Sequence, residues 1–178
     1  MDKSATIIIL YTREQIEATV KRLAGEITRD YADKNPLLVG ILKGSFMFMA
    51  DLIRQLDFPL EIEFVRVSSY GKKKQSSGKI TVVQGIRTHV KNRHVLVVED
   101  IIDSGLSVNY VLESLRNKKS ASLKACCLLD KPARRQVTVP IDYTGLTVPD
   151  KFLVGYGLDW AEQYRNLPDI CYLEDVKP

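Results

Sequence analysis

Residues 94–107 read HVLVVEDIIDSGLS. An unbroken apolar run, Val95 to Val98, ends in two adjacent carboxylates, Glu99 and Asp100. A third carboxylate, Asp103, stands just before the small loop Ser104-Gly105-Leu106-Ser107. The run predicts a central strand over 94–102, because a strand buried on both faces needs no polar alternation. Beyond it Val108, Val111, Leu112 and Leu115 share one side of a predicted helix over 104–118. Strand, tight loop and helix in that order are half of a βαβ unit.

The same alternation extends both ways. Thr12 and Gln15 fit a capping box at the start of a helix over 12–33, in which Ile16, Val20, Leu23, Ala24, Ile27 and Tyr31 recur at helical spacing. Pro36 bars its continuation. Residues 37–42 (LLVGIL) read as a second strand buried on both faces, and 46–56 as a second helix. Residues 61–69 alternate, with Ile62 and Phe64 on one face and Val65 and Val67 on the other. The polar, basic stretch 70–79 is a surface loop, and 80–86 returns as a strand, the two strands making an antiparallel ribbon. Residues 123–129 are another buried strand, followed by short strands near 143–148 and 152–155. This order predicts an α/β domain, a doubly wound and mostly parallel sheet flanked by helices.

Composition narrows the function. The 178 residues are 45% apolar and 27% charged, which fits one folded domain over 1–178 and excludes a disordered chain. No run approaches the ~18 apolar residues of a membrane span. The start, Met1-Asp2-Lys3-Ser4, carries no secretory pattern. Cys126, Cys127 and Cys171 form no C-x-x-C pair and read as buried reduced thiols, which with the missing leader predicts a cytoplasmic protein. The net charge of +4 suits a small anionic substrate as well as nucleic acid.

Doubly wound sheets bind ligands at the carboxyl ends of their strands, near the topological switch. The segments there are Lys43-Gly44-Ser45, 99–107 and Asp130-Lys131-Pro132. Helix-start amides beside a glycine and hydroxyls form a phosphate cradle. Carboxylates do not bind phosphate, but a pair of them suits the vicinal hydroxyls of a ribose. One acid could merely cap the helix. Two, directly after a buried run, are too costly to be incidental.

VVEDIIDSG resembles the phosphoribosyl-pyrophosphate signature of the type I phosphoribosyltransferases. LKGS (42–45), SSYG (68–71), LDKPARR (129–135) and PDKFLVGYGLDWAEQYRNLP (149–168) resemble, in order, the hypoxanthine-guanine branch. The likeness runs from about Thr12 to the C-terminus. It implies the family fold, with a small hood formed by the N- and C-terminal segments. It implies that Glu99 and Asp100 hold the ribose hydroxyls and that Asp103 is the acid/base facing purine N7. Ser104, Gly105, Leu106 and Ser107 then bind the 5′-phosphate; family members often carry Thr at the two serine positions. Lys43, Gly44 and Arg165 bind pyrophosphate, and the Leu42–Lys43 peptide bond is cis. Lys131 binds purine O6, Phe152 stacks on the base, and the Leu153 carbonyl reads its edge. Glu99, Asp100 and Asp159 are the carboxylates for Mg²⁺. Ser69 and Tyr70 begin a closing loop. Lys72, Lys73 and Lys74 read first as a solvated basic loop, with steering of a polyanion toward the cleft as the alternative. Trp160, His89 and His94 carry no assigned role.

The implied reaction moves a phosphoribosyl group from phosphoribosyl pyrophosphate to N9 of hypoxanthine or guanine, in a homodimer or homotetramer, with no nucleic-acid or membrane partner. One alternative is a regulator of the same fold that binds RNA or a nucleotide. Against it stand the absence of a helix-turn-helix or aromatic-basic stripe and the presence of Asp103 and Lys131. The other is a phosphoribosyltransferase for a different base. A lysine at 131 disfavours adenine, because it can only donate, and leaves xanthine open.

Overall fold

The computed structural model describes residues 6–69 and 80–174, without the side chains of Ser68, Ser69 and 80–82. Along the chain come β1 (Ile7–Tyr11), α1 (Arg13–Tyr31), β2 (Leu37–Leu42), α2 (Phe46–Ile53), β3 (Glu61–Ser69) and β4 (Ile80–Gln84). Then follow β5 (His94–Ile102), α3 (Leu106–Arg116), β6 (Ser122–Asp130), β7 (Tyr143–Thr147), β8 (Leu153–Val154) and β9 (Ile170–Leu173).

The six-stranded central sheet has the order β4-β3-β2-β5-β6-β7. Strands β3, β2, β5, β6 and β7 run parallel, and β4 returns antiparallel along the edge. The winding leaves β2 outward to β3 and restarts at β5 on the other side, so the switch point lies between β2 and β5. Pairing of β2 with β5 stops at Gly40↔Val98, whereas β2 stays with β3 as far as Leu42↔Arg66. The ends of β2 and β5 therefore part, and a crevice opens between them.

Two cores sandwich the sheet. Leu38, Leu96, Val98, Cys126 and Leu128 pack under α1 and α2. Leu37, Val39, Val95, Val97, Ala125 and Cys127 pack under α3. The adjacent cysteines thus enter opposite cores, as period-two alternation requires, and all three thiols are free and buried. On β3, Phe64 joins the first core and Val65 and Val67 the second, while Ile62 on the Phe64 face is exposed.

The capping box is complete: the Thr12 amide donates to Gln15 Oε1 at 2.9 Å, and Thr12 Oγ1 accepts from the Gln15 amide at 3.5 Å. The helices are shorter than their spacing predicts. α1 ends at Tyr31, not 33, and α2 at Ile53, not 56. α3 begins at Leu106 rather than Ser104, because Gly105 has φ +82°, a left-handed conformation that cannot belong to a right-handed helix. Ser104 and Gly105 thereby become loop and face the crevice. β1 and β9 are strands that the sequence pattern does not reveal. They pair antiparallel, Ile7↔Leu173, and β8 joins β9 through Leu153↔Tyr172, forming a second, three-stranded sheet. Strands of two to five residues are too short to display a period. No helix of the described residues is long and apolar enough to cross a membrane.

Candidate active site

A cavity of about 660 Å³ lies over the carboxyl ends of β2, β3, β5 and β6 and is walled on its far side by the segment 152–165. A smaller one of about 230 Å³ shares Lys43, Gly44, Asp100, Asp103 and Ser107 with it and reaches down to Ser104 and Gly105. Another, of about 730 Å³, opens beside α1 and α2 and is lined by none of the predicted site residues. Size alone favours that third cavity; the chemistry favours the first two.

Glu99 and Asp100 end the apolar part of β5 and are each 7% exposed. The Asp100 amide donates to Glu99 Oε1 at 3.3 Å. Burial pushes the Glu99 carboxyl well above its usual range, and the neighbouring Asp100 charge pushes it further. Burial also raises Asp100, against hydrogen bonding with Glu99 and the charge of Arg165. A pair so placed is short of positive charge, and ligand hydroxyls or a cation relieve it.

The Leu42–Lys43 peptide bond is cis. Beyond it Gly44 lies directly against Asp100: a Cβ at 44 would overlap Asp100 Oδ2 and stand 2.6 Å from its Cγ. Only glycine leaves room for both. Ser45, fully buried, donates from Oγ to the Ile41 carbonyl at 2.6 Å and locks the turn.

The loop 104–107 is clamped from behind. The Gln136 and Val137 amides both donate to the Ser104 carbonyl, at 2.9 and 3.3 Å. Arg135 donates to the carbonyls of Asp103 at 3.1 Å and Ile102 at 3.2 Å and is ion-paired with Asp130. Gly105 offers α3 no side-chain cap and Ser104 Oγ accepts only from the Leu106 amide, at 3.4 Å, which leaves the amides that follow in the first turn available to an anion.

Asp103 and Lys131 meet across the ends of β5 and β6. Lys131 is 4% exposed; its Nζ donates to the Lys151 carbonyl at 2.9 Å and stands 3.8 Å from Asp103 Oδ2. Burial lowers the Lys131 pKa and the Asp103 charge opposes the shift. Asp103 Oδ1 is buried with no partner among the described residues, an acceptor open to a ligand. Phe152 and Leu153 line the same cavity, and the Phe152 carbonyl is taken by the Leu173 amide at 3.1 Å.

Arg165 donates to the Gly157 carbonyl at 2.7 Å and pairs with Asp159 at 2.7 Å and Glu162 at 3.1 Å. Glu162 also pairs with Lys43 at 2.9 Å. Asp159 is therefore already engaged by a cation. Trp160 stacks on Tyr164 with ring centroids 6.3 Å apart. His94, at the opposite end of the sheet, contacts Ser122 Oγ at 2.8 Å and the Tyr31 ring. Ser69 ends β3, while Tyr70 and the lysines at 72–74 lie outside the described residues.

The predicted residues Lys43, Gly44, Asp100, Asp103, Ser107, Lys131, Phe152, Leu153, Asp159 and Arg165 thus line one cavity, with Glu99, Ser104 and Gly105 on its smaller extension. Leu106 opens α3 just behind them. Sequence reading passed over Arg135 and Glu162. The first lies inside LDKPARR, and nothing local indicates that it reaches back to β5. The second reads as an ordinary surface glutamate until the fold brings Lys43 to it.

The profile of the phosphoribosyl transferase domain matches residues 9–161. Over 96% of its length the chain is 47% identical to a hypoxanthine-guanine phosphoribosyltransferase of Bacillus subtilis, covering 93% of that protein. Over the same share it is 44% identical to a bifunctional protein TilS/HprT of Listeria innocua, of which it spans 26%. A crystal structure of a hypoxanthine phosphoribosyltransferase from Staphylococcus aureus superposes with a TM-score of 0.89 at 43% identity, covering 93% of this chain and 90% of that one.

Proposed function

The chain belongs to the phosphoribosyltransferase family, and from that premise we propose that it is a purine-salvage enzyme for 6-oxopurines. It transfers the 5-phosphoribosyl group of phosphoribosyl pyrophosphate to N9 of hypoxanthine or guanine, giving IMP or GMP and pyrophosphate. The observation that carries this reading is the Asp103–Lys131 pair, 3.8 Å apart in the cavity that also holds Asp100 and Gly44. An acceptor and a cationic donor side by side match the N7–H and O6 of a 6-oxopurine, which sit on one edge of the ring. Adenine would present an amine to Lys131, and two donors repel.

The roles follow from chemistry at an anomeric carbon, where positive charge builds on the sugar as the leaving group departs. Asp100 and Glu99 accept the ribose hydroxyls and fix the ring. The amides and hydroxyls of 104–107 hold the 5′-phosphate at the start of α3. Lys43 and Arg165 receive the charge that accumulates on the departing pyrophosphate. Asp103 holds or takes the purine proton at N7 as N9 bonds to carbon. Phe152 covers the base and keeps water from the reacting face.

Among the described residues no group of three His, Cys, Asp or Glu side chains forms a metal cage. A hard cation that arrives with its substrate needs only one or two protein carboxylates. Glu99 and Asp100, buried side by side, would hold Mg²⁺ of that kind, with Asp159, still paired with Arg165 at 2.7 Å, as a further carboxylate beside them. When bound, Mg²⁺ neutralises the pyrophosphate charge.

The same proposal includes one catalytic domain over 1–178, a cytoplasmic location suited to free buried thiols, and a homodimer or homotetramer. Relatives with transferase names favour turnover over a purely sensing regulator. A spectrophotometric assay with phosphoribosyl pyrophosphate, Mg²⁺ and hypoxanthine, guanine, xanthine or adenine in turn tests the reading. Turnover is expected with a 6-oxopurine and not with adenine; no 6-oxopurine turnover overturns it. In the same assay Lys131→Met should raise the purine KM by about tenfold, the worth of one charged hydrogen bond, and leave the donor KM unchanged. An unchanged purine KM would remove Lys131 from the base site.

A further inference from the structure

One carboxylate in the cavity has no part in the roles above. Glu162 Oε2 accepts from Lys43 Nζ at 2.9 Å and from Arg165 Nη2 at 3.1 Å. It therefore bridges the two cations assigned to pyrophosphate. The bridge is built by the backbone. Ala161 and Glu162 adopt left-handed φ values of +51° and +65° within a tight turn closed by Trp160 and Gln163. The Glu162 amide donates to Asp159 Oδ2 at 2.8 Å, fixing the turn to the residue that holds Arg165 from its other side. This brings a carboxylate to a lysine 119 positions away in sequence.

The two partners of Arg165 differ in exposure. The pair with Asp159 is sheltered, at 20% and 30% exposed, whereas the Glu162 side chain is 64% exposed. Hydrogen bonds from Lys43 and then Arg165 draw the Glu162 carboxyl below its usual range, so it is anionic at neutral pH. An exposed ion pair shifts an equilibrium by only about fivefold or less. Asp159 thus anchors Arg165, while Glu162 is a contact that a stronger anion can displace.

We propose that Glu162 is a displaceable internal counterion: it bridges Lys43 and Arg165 while the phosphate subsite is free and yields them to pyrophosphate, alone or as part of the donor. This rests on the reading of Lys43 and Arg165 as pyrophosphate ligands. Glu162 weakens pyrophosphate binding by competing for its ligands, and so favours release of that product.

Calorimetric titration with inorganic pyrophosphate at fixed free Mg²⁺, beside steady-state kinetics, tests the proposal on the wild-type, Glu162→Gln and Glu162→Ala proteins. Both variants remove the charge from an exposed position. Their pyrophosphate Kd is expected to fall at least about twofold, and up to about tenfold, at low salt. The gain should shrink as salt rises, since it is electrostatic, and the purine KM should stay unchanged. A Kd that is unchanged or higher overturns the proposal, as does an equal shift in purine KM, which would mark a general loosening of the cavity. A wild-type protein that does not bind pyrophosphate overturns the assignment of Lys43 and Arg165 and the proposal with it.

Discussion

Asp103→Asn is expected to lower turnover by about 10²-fold or more, while phosphoribosyl pyrophosphate still binds with nearly its original affinity. The substitution is close to isosteric. It leaves the Asp103 carbonyl, which Arg135 holds at 3.1 Å, in place. It removes the capacity to take a proton, together with the charge that faces Lys131 at 3.8 Å. Asp103 Oδ1 has no hydrogen-bond partner among the described residues, so it is open to a donor from a ligand. The donor's phosphates and ribose are met by the loop 104–107, Lys43, Arg165, Glu99 and Asp100, none of which changes. Single-turnover kinetics and donor titration separate the two effects. Turnover within about twofold of wild type would take the acid/base role from Asp103, since a working general base contributes far more.

Gly44→Ala should be comparably severe, for a steric reason. The added Cβ would overlap the Asp100 carboxylate, which is 7% exposed. Either that carboxylate or the turn after β2, with Lys43 on it, must therefore move. A displacement of about 1 Å in a reacting geometry can cost about 10²-fold, and kcat/KM is expected to fall by that order. The fold should survive, because the overlap is confined to the cavity wall. Gly25→Ala on α1 is the control: nothing lies within 4 Å of its added Cβ. That variant should keep full activity and gain about 0.5–1 kcal/mol from reduced chain entropy. Activity of Gly44→Ala within about threefold of wild type would show that the turn and Asp100 need not be held so closely.

The parts legible in sequence were those with a local physical signature. HVLVVEDII and LLVGIL announced strands covered on both faces, because a residue's burial on a two-sided sheet follows from its apolarity alone. Thr12 and Gln15 announced a helix start, because both partners of a capping box lie within four residues. Helix ends were less legible. The start of α3 depends on the left-handed Gly105, and a glycine is compatible with that conformation without requiring it. β1 and β9 had too few residues to show a period, and each is a strand only because the other pairs with it.

The chain by itself determined which chemistry is available and roughly where: carboxylates and a Gly-Ser loop after β5, a lysine after β2 and another after β6. It did so because strand ends converge in any parallel sheet. Only the tertiary structure decided which of these groups meet. The parting of β2 and β5 set Gly44 against Asp100, the clamp from Arg135 and its neighbours shaped the phosphate loop, and the turn at 161–162 carried Glu162 to Lys43. An exposed charge on one element is equally consistent with solvent or with any partner. Its role depends on the packing of segments more than a hundred residues apart, and no local pattern encodes that.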